Sequence, residues 1–171
     1  MIYQIGALQA FAAAQGVKLQ HVKPHGALYT MAVKNTAIWD AVAEAIAAVD
    51  ARLILFVLAG TERKNLEAIG ARHGIRMAYE FFGDRAYNSD GSLVSRNKPG
   101  AVIHDSEVVA AKILKMVKEG RVECRDGSEI KLTADTICVH GDNPSALSLV
   151  QKIGETLKAA GVEIAPPETF L

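Results

Sequence analysis

The sequence predicts an α/β protein with a mostly parallel sheet, and three observations support this class. Short apolar runs typical of buried strands alternate with longer segments of helical periodicity. The run 53–58 is apolar without interruption, as in a parallel strand that is covered on both faces. Polar side chains follow the predicted strand ends, where α/β enzymes build their sites.

The helices are predicted from apolar residues that recur every three or four positions. The segment 37–49 shows this most clearly, with Val42 and Ile46 on its apolar face. We expect Thr61 to cap the fourth helix and Asn143 to cap the last, with Pro144 at its first position. The predicted helices are 3–15, 27–33, 37–49, 62–72, 106–118 and 145–160.

The strands are predicted from shorter apolar runs. Asp90-Gly91 and Asp126-Gly127 are turn signals, and each is expected to close a small hairpin. An open doubly wound sheet and a β/α barrel both fit this order, although four or five strands are too few to close a barrel. The segment 162–164 is either a last strand or a tail. The predicted strands are 19–22, 53–58, 77–81, 121–124, 129–132 and 136–139.

Composition sets the broad class of the protein. The 171 residues fit a single α/β domain, 1–171, and 19 basic residues balance 19 acidic ones. A neutral chain gives no electrostatic reason to expect nucleic acid or an anionic membrane as a partner. The apolar runs are too short to cross a bilayer, and the start lacks the pattern of a signal peptide. We therefore expect a cytoplasmic protein whose two cysteines are buried thiols.

Several catalytic signatures are absent from the sequence. There is no Gly-x-x-x-x-Gly-Lys-Ser/Thr loop, no Gly-x-Ser-x-Gly elbow, and no dinucleotide fingerprint after a strand. The sequence thus excludes a P-loop and gives no support to a serine hydrolase or a dinucleotide enzyme.

The first strand exit carries Lys23 and His25 directly before Gly26. An imidazole there can exchange a proton near neutral pH, and the lysine can anchor a carboxylate or a phosphate. The alternative is a turn histidine beside a solvated lysine.

The third strand exit carries Glu80, Asp84 and Arg85, and the last carries His140 and Asp142. The two carboxylates of the third exit can hold a metal, or act as a base and its orienting group, while Arg85 pairs with one of them. His140 can be a base oriented by Asp142, or both can be metal ligands. The alternatives are a structural ion pair in the third exit and a helix cap in the last.

His104 precedes the predicted helix 106–118 and is followed by Asp105. It either ends a further strand over 101–103 or caps the helix.

Five segments together resemble the LamB/YcsF family, the A subunit of the bacterial ATP-dependent 5-oxoprolinase. They occur in the family's order and span most of the chain. The segments are 23–29 (KPHGALY), 80–87 (EFFGDRAY), 93–96 (LVSR), 100–105 (GAVIHD) and 139–142 (VHGD).

The resemblance implies a distorted β/α barrel similar to the polysaccharide deacetylase-like fold. It also implies opening of the lactam 5-oxo-L-proline to L-glutamate, with ATP as co-substrate, a divalent metal as a possible cofactor, and 5-oxoprolinase subunits B and C as partners. The candidate catalytic residues are His25, Glu80, Asp84, His140 and Asp142, and the candidate substrate-binding residues are Lys23, Arg85, Arg96 and His104.

The chain departs from the family pattern at its start. Members begin with an Asp-Leu-Asn-x-Asp-x-Gly-Glu strand, followed by Ala-Cys-Gly-x-His-Ala-Gly-Asp and His-Pro-x-x-Pro-Asp segments, and none of these occurs here. We therefore expect the C-terminal portion of a longer barrel, incomplete at its N-terminus. Its uncovered sheet edges predict a homo-oligomer or poor solubility.

Two other functions are compatible with these residues. One is a non-catalytic remnant that keeps only a surface for a ligand or a partner. The other is a metal-dependent deacetylase-like hydrolase of an amide.

Overall fold

The computed structural model describes residues 1–60 and 62–171. The chain divides into two compact units: one comprises residues 1–58, 62–78 and 171, and the other 59–61 and 79–170. The helices in the described residues are α1 (Ile2–Ala14), α2 (Ala27–Lys34), α3 (Thr36–Asp50), α4 (Arg63–His73), α5 (Ser106–Glu119) and α6 (Ala146–Ala159), with a short 3-10 helix at Pro167–Thr169. None of these helices is both long and apolar enough to span a bilayer.

Parallel pairing joins the main strands, as predicted. In the first unit β1 pairs with β2, and Leu55 N donates to Arg76 O just before β3 begins. In the second unit β3 continues and pairs in parallel with β6. The strands are β1 (His21–Val22), β2 (Ile54–Leu58), β3 (Met77–Phe82), β4 (Arg121–Glu123), β5 (Glu129–Lys131) and β6 (Thr136–Cys138).

The first unit is organised around α3, which packs against α1, α2 and α4. Its buried face carries Trp39, Val42 and Ile46, at the helical spacing seen in the sequence. All five residues of β2 are buried, as expected of a strand covered on both faces. Asn35 caps α3 by accepting a hydrogen bond from Ala37 N at 3.0 Å.

The second unit packs α5 against α6 and against the antiparallel pair β4–β5. The rings of Phe81 and Tyr87 stack at 5.3 Å, and the Tyr87 hydroxyl accepts from Phe82 N at 2.9 Å. Asp105 caps α5 by accepting from Glu107 N and Val108 N. This capping settles one alternative, because the cap of α5 is Asp105 and not His104.

The predicted elements are confirmed apart from their ends, with three differences. The last helix begins at Ala146 and not at Pro144, because residues 143–145 form a turn in which Ala146 N donates to Asn143 O. The segment 162–164 is a tail and forms no strand. The predicted cap Thr61 lies outside the described residues.

Candidate active site

Two neighbouring strand ends place Asp84 beside His140. In the register of β3 and β6, Phe82 is opposite Cys138, and Gly83 N extends the ladder by donating to Cys138 O at 3.0 Å. Asp84 and His140 each follow these partners by two residues. Because parallel strands end at the same edge of a sheet, the two side chains meet there.

The contact between these residues is double. His140 Nδ1 lies 2.9 Å from Asp84 Oδ1, and His140 N donates to Asp84 Oδ2 at 3.2 Å. Burial acts to raise the pKa of the Asp84 carboxyl, but the hydrogen bonds from His140 outweigh it and leave that pKa below its ordinary value. Because an ionised carboxylate only accepts, His140 Nδ1 must carry the proton.

The surroundings keep the pair partly accessible. The Asp84 side chain is 0% exposed, whereas the His140 side chain is 22% exposed and its ring lies 5.2 Å from the ring of Phe82. Neutral His140 would thus have an unprotonated Nε2 and a share of exposed surface. This arrangement suits a general base held in one tautomer by a buried acid.

Asn143 extends this pair to His104. His104 Nδ1 donates to Asn143 Oδ1 at 2.9 Å, and the same oxygen accepts from Ser145 N at 3.0 Å. The Asn143 amide also contributes to the lowered pKa of Asp84 through a side-chain hydrogen bond. His104, Asn143, Asp84 and His140 therefore form one network. The sequence predicts Asn143 only as a helix cap and gives no sign of this second role.

Arg85 does not form the predicted ion pair with either carboxylate of its strand exit. Its buried guanidinium donates from Nε to Ala101 O at 3.2 Å and from Nη2 to Val94 O at 2.5 Å. These bonds tie segment 94–101 to the end of β3. Arg85 therefore has a structural role in the described residues, and substrate binding by it stays a prediction.

Asp142 is not the acid that orients His140. It is exposed and forms an ion pair with Arg96, from Nη1 to Oδ2 at 3.0 Å. Asp84, which is remote in sequence, takes the orienting position instead. The pair of Arg96 and Asp142 links segment 94–101 to the loop that follows His140.

Glu80 is buried in β3, in register with Thr136 of β6. Its predicted role as a catalytic acid stays a prediction. Within residues 1–60 and 62–171, no three His, Cys, Asp or Glu side chains lie close enough together to hold a metal ion.

Lys23 and His25 belong to the first unit. The Lys23 ammonium lies 5.8 Å from the centre of the Tyr29 ring, and His25 is exposed just before Gly26. Gly26 has a φ of 60°, which permits the sharp turn into α2. The structure confirms the turn at this exit, and the catalytic role of His25 and the anchoring role of Lys23 stay predictions.

Lys112 of α5 is a further charged residue near the pair, and it is not among the candidates predicted from the sequence. Its ammonium donates to Arg85 O and, at 3.4 Å, to Gly83 O. It also lies about 5 Å from the Phe81 and Tyr87 rings. Burial is the main cause that lowers the pKa of Lys112 to about 8. A lysine in an otherwise apolar helical stripe gives no signal of this position.

Comparison with known proteins decides the family. The model of the LamB/YcsF family matches residues 1–171, which is the whole chain. The chain belongs to the LamB/YcsF family. The predicted resemblance is confirmed.

The relatives of this LamB/YcsF chain include curated proteins named as the A subunit of 5-oxoprolinase. The one from Alkaliphilus metalliredigens is 48% identical over 169 residues, which cover 99% of this chain and 65% of that protein. The one from Bacillus subtilis is 48% identical over 164 residues, which cover 96% of this chain and 63% of that protein. The chain thus spans about two thirds of the length of these relatives, and its truncation stays a prediction.

A solved structure supports the fold. The crystal structure of a lactam utilization protein from Thermus thermophilus matches with a TM-score of 0.85 and 44% identity. The match covers 95% of this chain and 64% of that one. The predicted α/β fold class is confirmed.

Proposed function

We propose that this chain acts as a cytoplasmic hydrolase that opens the lactam of 5-oxo-L-proline to L-glutamate, as the A subunit of a 5-oxoprolinase. The observation that carries the proposal is the buried Asp84 bound to His140 Nδ1 at two adjacent strand ends. The names of the relatives, which refer to 5-oxoprolinase and to lactam utilization, supply the substrate class.

In this mechanism His140 is the general base. Asp84 holds the proton on Nδ1, so that Nε2 of the neutral ring can take a proton from water as the water oxygen attacks the lactam carbonyl. Breaking the C–N bond then leaves a carboxylate and an amine, and the amine nitrogen receives a proton from the imidazolium. Asp84 stabilises that imidazolium, because a buried carboxylate interacts strongly with a nearby positive charge.

ATP is the proposed co-substrate, because a lactam is a stable amide that resists attack by water. Transfer of a phosphoryl group to the lactam oxygen would make the carbonyl carbon reactive, and phosphate would leave after the ring opens. A protein-held divalent metal has no matching group of three ligands in the described residues, so no step depends on one.

Partner subunits B and C complete the proposed enzyme. The letter in the relatives' names implies an assembly of different subunits. Both cysteines of this chain are free thiols, which is usual for proteins of a reducing compartment such as the cytoplasm.

The test is an assay of glutamate release and ADP formation by the chain with subunits B and C, 5-oxo-L-proline and ATP. His140→Asn keeps a donor near the Nδ1 position for Asp84 but removes the Nε2 base, so we expect release to fall about 10²- to 10⁴-fold. His25→Ala tests the second candidate histidine in the same assay, and retained activity would restrict the base to His140.

A matched control is His73→Gln. His73 Nε2 contacts Asp40 at 2.9 Å, which is also a histidine–aspartate pair, but it lies at the end of α4. The change should leave glutamate release unchanged. Absence of glutamate release by the unaltered chain under these conditions, or full activity of His140→Asn, would contradict the proposal.

A further inference from the structure

The turn that carries Asp84 is held from both sides by one buried cation. Lys112 binds the carbonyl oxygens of Gly83 and Arg85, the two neighbours of Asp84 in the chain. The carbonyl oxygen of Asp84 itself accepts from Ile103 N at 2.9 Å. All three carbonyls of this turn are therefore occupied, and two of the three depend on Lys112.

The setting of Lys112 restricts where its ammonium can go. The rings of Phe81 and Tyr87 lie 5.0 and 5.1 Å from it, and both rings are buried and stacked on each other. Cation–π contacts of this kind strengthen when the cation is desolvated. An ammonium confined in this way fixes the turn more tightly than a solvated lysine would.

We propose that Lys112 is a positioning residue, which binds both carbonyls that flank Asp84 and so holds the Asp84 carboxylate against His140. This inference rests on the proposed function for its kinetic consequence. Its structural consequence, one fixed tautomer of His140, can be measured without turnover.

The inference predicts a pH dependence, because the pKa of Lys112 is lowered to about 8. Below that pH the charged ammonium makes strong hydrogen bonds to the carbonyls, and above it the neutral amine makes weaker ones. Asp84 and Cys124 favour the charged form, whereas burial and Arg85 oppose it. The other titratable groups nearby are Tyr87 on the ring side and Lys115, Arg121, Glu123 and Arg125 around the cavity of about 510 Å³ that Lys112 lines.

The first measurement is nitrogen-detected NMR of the His140 imidazole in the full chain. In the unaltered protein we expect a single Nδ1–H tautomer below pH 8 that becomes mixed as the pH passes through about 8. Lys112→Met should show the mixed state at every pH at which the ring is neutral. Lys112→Arg keeps a charge at all these pH values, so its single tautomer should persist to about pH 10.

The second measurement is the kinetic split in the glutamate assay. We expect Lys112→Met to lower kcat about 10- to 100-fold with little change in KM, because the base is misplaced while substrate contacts remain. Lys112→Arg should recover most of the loss. The control is Lys115→Met, one turn along α5, where the lysine pairs with Glu129 near the surface.

The outcomes separate this inference from the proposed function. A chain that releases no glutamate would contradict the proposed function, yet its NMR titration would still decide the role of Lys112. A single tautomer retained by Lys112→Met, or no change near pH 8 in the unaltered protein, would overturn the inference. Should Lys112→Met fail to fold, Lys112→Arg and the titration of the unaltered chain decide it.

Discussion

His140 Nδ1 lies 2.9 Å from Oδ1 of Asp84, and the same histidine donates its backbone N–H to the other carboxylate oxygen at 3.2 Å. One residue therefore binds both oxygens of a fully buried carboxylate. The side-chain contact sets the tautomer, and the backbone contact sets the position of the acid. Both depend on the register of β3 and β6.

Replacement of Asp84 by Asn should abolish most activity while preserving the fold. The amide can donate as well as accept, so it no longer enforces the Nδ1–H tautomer, and it carries no charge to stabilise the imidazolium. We expect kcat to fall about 10²- to 10⁴-fold in the glutamate assay. Asp40→Asn makes the same change in the pair with His73, and a comparable loss there would contradict a specific role for Asp84.

The stability of the chain should depend on Asp84 at acidic pH. The pKa of its carboxyl is lowered in the folded state, so its ionised form stabilises the fold above about pH 4 and this contribution is lost as the pH falls further. Urea unfolding between pH 3 and 6 should show the unaltered chain losing more unfolding free energy than Asp84→Asn. Parallel pH curves for the two proteins would refute the assigned shift.

Replacement of Arg85 by Lys should loosen segment 94–101. A lysine cannot donate to both Ala101 O and Val94 O in the fork geometry that Arg85 uses, so buried carbonyl groups lose partners. We expect the unfolding free energy to fall by roughly 2–4 kcal/mol and cleavage within 94–101 to become faster in limited proteolysis.

Arg96→Lys is the control for that experiment. Arg96 forms an exposed pair with Asp142, so its replacement should change the unfolding free energy by less than about 1 kcal/mol. Equal destabilisation by the two substitutions would show that burial of Arg85 does not matter.

Gly70→Ala should destabilise the protein although alanine favours helices. A Cβ at Gly70 in α4 would lie 2.8 Å from Ile75 O, a backbone atom that cannot move aside cheaply. We expect a loss of roughly 1–3 kcal/mol in thermal or urea unfolding. At Gly154 in α6 a Cβ meets nothing within 4 Å, so Gly154→Ala should instead gain about 1 kcal/mol. The opposite signs are the test.

Much of the fold follows from local patterns in the sequence. The apolar spacing of α3 and the uninterrupted run of β2 predict elements that the structure confirms, because burial on one stripe or on both faces leaves a direct periodic signal. The predicted start of α6 is too early. The Asn143 side chain does cap, but it does so for a turn over residues 143–145, and local preference does not distinguish that turn from the first turn of a helix.

The candidate site is only partly predictable. Asp84, His104 and His140 are candidates because polar residues follow strand ends, and the structure joins all three through Asn143. The predicted partner of His140 is wrong, since Asp142 is its neighbour in sequence but pairs with Arg96. Lys112 gives no signal, because its importance comes from two backbone carbonyls and two rings that belong to other elements.

The sequence by itself determined the family, the order of helices and strands, and the residue types available at each strand end. Only the tertiary structure decided which acid meets which histidine, and which cation is buried beside them. The physical reason is that Asp84 and His140 lie 56 residues apart and meet through the register of two parallel strands. That register depends on packing across both faces of the sheet, which no local stretch of sequence encodes.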